Sequence, residues 1–196
     1  LEQPKEEHHY NAFKVYGGGL QGNVDGTASV SVQGGKFYDI FGGSCFADID
    51  GTAKVVIGSE QSADSNNPIN IVNNVYGAND FGGTVIGSVS FGQYGYDNKY
   101  VKAQTMVQYY SGIVHGNIFG GANGAYNYSL FSIEGGMTGK YPVLNTTVTE
   151  ADPNFITANT FVHIASTSKR VDGIKGAVYG GGQGYSGATG IVDVKD

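Results

Sequence analysis

The sequence predicts an all-β fold, a single-stranded parallel β-helix: a solenoid of about six or seven irregular coils with long loop insertions. Three observations lead there. An apolar–aromatic–glycine anchor recurs as Val15-Tyr16-Gly17-Gly18-Gly19, Ile40-Phe41-Gly42-Gly43, Val75-Tyr76-Gly77-Ala78, Ile118-Phe119-Gly120-Gly121 and Val178-Tyr179-Gly180-Gly181-Gly182. A short strand pattern follows each copy: Val30-Ser31-Val32, Val55-Val56-Ile57, Val89-Ser90-Phe91, Phe131-Ser132-Ile133 and Val192-Asp193-Val194. The offset from anchor to strand is 15, 15, 14, 13 and 14 residues, a regularity that marks internal repeats.

Residues 1–11 are polar and aperiodic, and read as a flexible lead-in; residues 12–196 read as one repeat domain, part of a longer chain. Within the first repeat, the glycines after Tyr16 fall where close backbone approach excludes a side chain. Asp25-Gly26 then punctuates a turn, and Ala28, Val30 and Val32 alternate with Ser29 and Ser31, the period of a half-buried strand. Ala53 to Ile57 repeats that alternation. The next anchor follows at variable distance, across the polar run Ser59 to Pro68 and the tyrosine-rich Gln93 to Gly112, where Val101 to Tyr110 reads as an extra strand. Met137 to Ile156 is a further insertion, after which Phe161 to Ile164 resembles another second strand. Only Val143 to Phe155 leaves room for a short helix.

Composition narrows the functional classes. Gly is 33 of 196 residues while Pro is only 4, and 40% of the chain is hydrophobic, which favours many tight turns between buried strands over disorder. The net charge is −6, with the basic residues scattered, a poor footprint for nucleic acid or an anionic membrane surface. No apolar run is long enough to insert into a bilayer as a helix. The one cysteine, Cys45, rules out an internal disulfide or a CxxC site and reads as a small buried filler.

The anchors, followed by Gly-Thr-x-x-Val-x-Val and by Gly34-Gly35 or Gly135-Gly136, resemble the glycine-rich repeats of large bacterial surface and secreted proteins. That resemblance implies a right-handed parallel β-helix of the pectate-lyase-like or adhesin type, and an extracellular or cell-surface location. It names no activity.

Chemical motifs are weaker than the architecture. Asp25-Gly26 and Asp48-Ile49-Asp50-Gly51 occupy equivalent turns, so Asp25, Asp48 and Asp50 form a candidate oxygen site for calcium, although the full DxDxDG spacing is missing. No other cofactor is expected, and no catalytic residue is assigned. His163, Lys169 and Arg170 are the nearest approach to a catalytic group and read by default as a solvated face. Tyr94, Tyr96, Tyr100, Tyr109 and Tyr110 cluster in one connection, and uncharged aromatic faces suit sugar rings or a protein surface. The bland reading of these tyrosines is packing of the loop on its own solenoid.

The expected function is a non-enzymatic, adhesin-like module displaying loops for contact with a glycan or a host or neighbouring-cell protein. A polysaccharide lyase or glycoside hydrolase is the alternative, and a purely structural spacer or assembly unit the second alternative. Because Val192-Asp193-Val194 runs almost to the last residue, the C-terminal coil is expected to continue into further chain or to associate end to end with another copy.

Overall fold

The computed structural model describes residues 10–59, 68–87, 90–93, 100–123, 155–157, 160–165, 173–183 and 190–195. Among them there are strands and turns and no helix. The strands are β1 (Ala12–Tyr16), β2 (Ala28–Val32), β3 (Gly35–Phe41), β4 (Ala53–Ile57), β5 (Ile69–Ile71), β6 (Val75–Tyr76), β7 (Ser90–Gln93), β8 (Tyr100–Ala103), β9 (Thr105–Tyr109), β10 (Ile113–Val114), β11 (Ile118–Phe119), β12 (Phe155–Thr157), β13 (Thr160–Ala165), β14 (Val178–Tyr179) and β15 (Gly190–Lys195).

The expected single-stranded right-handed parallel β-helix of about six or seven coils is corrected by the sheet topology. The strands sort into a seven-stranded sheet of order β10-β5-β3-β6-β11-β14 with β1 on β3, a five-stranded sheet β15-β13-β9-β4-β2, and a three-stranded sheet β12-β8-β7. The first curls into a half-barrel against the second, an arrangement closer to a roll of parallel sheets than to a single-stranded helix. The third contains an antiparallel pair, Ser90 to Gln93 against Tyr100 to Ala103, which no uniform solenoid provides.

The curl has a local cause. Gly35 to Phe37 of β3 pairs with β5, and Ile40 and Phe41 pair with β6. Between these pairings β3 has two residues, Tyr38 and Asp39, where the partner has three, Val72, Asn73 and Asn74. One extra residue on one strand is a bulge, which bends the sheet and steepens its twist.

The two large sheets share one apolar interior. Val30, Val55, Val107 and Val162 lie side by side across β2, β4, β9 and β13. Facing them across the core are Ile40, Ile71, Val75, Val114 and Ile118 of the curled sheet, with Val15, Phe37 and Val178 packed at its margins. The serines between the inward valines of β2, Ser29 and Ser31, are exposed, as alternation requires. On β9 and β13 the outward residues Met106, Gln108, Phe161 and His163 are buried as well.

Glycine in the anchors is a packing requirement. A Cβ built on Gly42 would lie 2.5 Å from the carbonyl oxygen of Gly77 in the next strand, and Gly17, Gly77 and Gly120 meet the equivalent oxygen of their own neighbours closer still. The strands stack through bare backbone at this corner. The threonines at the start of the second strands tie the two sheets together: Thr105 Oγ1 donates to the Gly120 carbonyl at 2.6 Å, and Thr160 Oγ1 donates to the Gly180 carbonyl.

Candidate functional site

Residues just before the anchors form a side-chain ladder. Asp39 Oδ1 accepts the Asn74 amide at 3.0 Å, Asn74 Oδ1 accepts the Asn117 amide at 2.7 Å, and Asn117 Oδ1 accepts the Ala177 amide at 2.8 Å. Short Asx side chains suit this corner because they reach one strand spacing and no farther. Burial raises the Asp39 carboxyl above the usual carboxylate range, against the opposing pull of the Asn74 amide, the Lys14 charge and Asn73.

A carboxyl whose folded pKa exceeds its unfolded one gives stability that is complete below the ordinary carboxylate range and is lost as pH rises through the folded pKa. Asp39→Asn keeps an oxygen for the Asn74 amide and removes the buried charge. Its melting temperature is therefore expected to exceed that of the parent at neutral pH, with the difference closing in acid. A lower melting temperature at neutral pH would mean that the Lys14 charge outweighs burial.

The aromatic residues of the anchors stack outside the aliphatic interior. Tyr16, Phe41, Tyr76, Phe119 and Tyr179 follow one another with ring centroids 4.8–5.1 Å apart and interplanar angles of 3–13°. In-register parallel strands fix this spacing, since neighbours sit about 4.8 Å apart. The three central rings are buried, whereas Tyr179 is 48% exposed.

Beside this column lies a buried polar group. Asp80, fully buried, accepts Lys14 Nζ at 2.8 Å and Tyr16 Oη at 2.7 Å on Oδ2, and Asn123 Nδ2 at 2.8 Å on Oδ1. Lys14 Nζ also sits 5.2 Å from the Phe41 ring centroid and 5.0 Å from that of Phe81. Burial, and then the hydrogen bond to Asp80, drives the Tyr16 hydroxyl far above its ordinary range. Cys45 next to it is buried, and burial raises its thiol too, so it stays protonated and acts as filler. An amine, a carboxylate and a carboxamide are thus gathered beside the Phe41 and Phe81 rings.

An exposed aromatic surface lies at the β1 edge. Phe13, 58% exposed, stacks on Tyr38 with centroids 4.5 Å apart and planes 8° apart, and Tyr10 meets both edge-on. Lys36 Nζ lies 5.2 Å from the Tyr10 ring centroid.

The sequence-derived candidates fall elsewhere. Tyr94 and Tyr96 lie outside the described residues, as do Lys169 and Arg170, and of Tyr100 only the backbone, in β8, is described. Tyr109 is buried in the main core with its hydroxyl donating to the Gly112 carbonyl at 2.6 Å, and Tyr110 is half-buried edge-on to His163. The register explains Tyr109: it takes the place that Ile57 holds on β4. Asp25, Asp48 and Asp50 are exposed, and Asp48 Oδ1 accepts the Thr84 amide at 2.7 Å. Among the described residues no three His, Cys, Asp or Glu side chains assemble into a metal-binding group. Nor do the described residues include a helix long and apolar enough to cross a membrane.

The Lys14–Asp80–Asn123 group has no local sequence signal, because its members come from three separate repeats. Phe13 was legible in principle, as an apolar residue on the outward phase of β1. No protein-family model matches the chain, and no curated protein or solved structure matches it.

Proposed function

We propose that the chain is a non-enzymatic, adhesin-like module of an extracellular bacterial surface, making contact with a glycan or a partner protein through outward aromatic side chains. The observation that carries this reading is the Tyr10, Phe13 and Tyr38 group, in which the rings pack on one another while Phe13 stays exposed and the two tyrosines are half-buried. Preordered aromatic faces lose little conformational freedom on binding, and they suit both pyranose faces and protein surfaces. The tyrosine-rich connection around Tyr94 and Tyr96 belongs to the same proposal as a second contact surface. Calcium at the Asp25 and Asp50 turns, with Asp48 held by Thr84, would be an accessory that this reading does not require.

A glycan array and a panel of acidic and neutral polysaccharides test the proposal. The parent is expected to bind without forming product, and Phe13→Ala with Tyr38→Ala to weaken binding at least tenfold while the β-sheet circular dichroism is unchanged. New reducing ends or unsaturated uronate would replace it with the polysaccharide-degrading alternative. Full binding by the double variant would remove the aromatic group from the contact surface.

A spacer role is the second reading, favoured by the Asx ladder and the glycine corner, which spend polar groups on the stack itself. Silence across the whole panel would support it.

A further inference from the structure

We propose that Lys14 and Asn123 become joined by an intramolecular isopeptide bond, with Asp80 as the proton carrier. The placement rests on one carboxylate holding both reactants: Asp80 Oδ2 accepts Lys14 Nζ and Asp80 Oδ1 accepts Asn123 Nδ2, each at 2.8 Å. Asp80 is fully buried, Asn123 is 4% exposed, and the Lys14 side chain is 21% exposed beneath the Phe41 and Phe81 rings. The lysine proton has a direct route to the carboxylate, the existing 2.8 Å hydrogen bond from Lys14 Nζ to Asp80 Oδ2. Two groups fixed in one pocket also react without the entropy loss of an encounter.

The step balances with the groups present. Lys14 gives one proton to Asp80, and its neutral amine attacks Cγ of Asn123, forming the Nζ–Cγ bond. The second amine proton passes to Nδ2 as the Cγ–Nδ2 bond breaks, and ammonia leaves. Ammonia takes the proton held by Asp80 and departs as ammonium, so Asp80 ends as the carboxylate it began as. No oxidant, cofactor or metal enters. Asn123 is the electrophile because its carboxamide carries a nitrogen that leaves as ammonia, while Asp80 is occupied in holding and returning the proton.

The bond would fasten β1, which pairs only with β3 among the described residues, to the turn after β11. Peeling of that edge strand would then require a covalent break. The proposal is independent of any contact the surface makes.

Intact-mass spectrometry of the full chain, denatured and reduced, tests it. The expected mass is lower than the sequence mass by one ammonia in essentially all molecules, and a protease digest is expected to yield one branched peptide joining the Lys14 and Asn123 segments. Lys14→Arg, Asn123→Ala and Asp80→Ala are each expected to show their full sequence mass. Because Asp80→Ala removes a buried partner and can fail to fold, the digest of the parent is the deciding measurement. An undiminished parent mass would overturn the proposal. A loss of water with a Lys14–Asp80 branch would overturn the assignment of Asn123. Loss of ammonia with only linear peptides would also overturn it, by placing the loss in cyclisation at Asn123-Gly124.

Discussion

Val55→Asp is expected to cost about 4 kcal/mol of stability, enough to unfold a domain of ordinary stability at moderate temperature. Val55 is fully buried, with Val30 on one side and Val107 on the other. The substitution removes the burial of an aliphatic side chain, worth about 1.5–3 kcal/mol, and leaves a carboxylate without a partner in the interior. The neighbouring Val56 faces outward and is half-buried, so Val56→Asp is expected to cost less than about 1 kcal/mol. Chemical denaturation of both variants checks the pair. Equal costs would show that the two faces of β4 are wrongly assigned.

Gly77→Ala carries the second large effect, about 2–3 kcal/mol, from a single methyl group. The added Cβ would overlap the Gly120 carbonyl oxygen, lie 3.0 Å from its carbonyl carbon and press on Val107 Cγ2 at 3.3 Å. Backbone on one side and a core valine on the other leave nothing flexible to yield. Gly22 has open space around the same position, so Gly22→Ala is expected to fall within about 0.5 kcal/mol of the parent. Thermal melts of the two variants separate a steric requirement at the anchor from a general preference for glycine in turns.

The sequence offset correctly made Val30 and Val55 equivalent, since a buried strand repeats its inward residues whatever happens in its turns. It failed one repeat later. Val89 was expected beside Val55, yet Val107 takes that place, and Val89 lies outside the described residues. Both segments alternate apolar and polar residues, and periodicity alone does not tell a strand of the main sheet from the adjoining β7 and β8 pair. The short strands β5 and β10 were missed for a related reason: two or three residues are too few to show a period.

The polar group was illegible for a different reason. Lys14 and Asp80 are 66 residues apart, and only the stacking of the first anchor beside later turns brings them within 2.8 Å. Tyr109 reads as a surface aromatic in a polar connection, but the register sets it opposite Ile57 and turns it inward. In each case the residue type was visible and its neighbours were not.

β2 and β4 are parallel and in register, and the shared core depends on that pairing. Paired cysteines in a Cys45→Ser background test it directly. In the parallel register Ser29 faces Lys54 and Ser31 faces Val56. Adjacent strands lie about 4.8 Å apart, within disulfide reach, whereas a two-residue stagger puts Cα atoms roughly 8 Å apart and beyond it. Mild oxidation is therefore expected to cross-link Ser29→Cys with Lys54→Cys, and Ser31→Cys with Val56→Cys. The crossed pairs, Ser29→Cys with Val56→Cys and Ser31→Cys with Lys54→Cys, are expected to stay reduced. Cross-linking of the crossed pairs in place of the direct ones would mean an antiparallel hairpin, and would contradict the two-sheet stack.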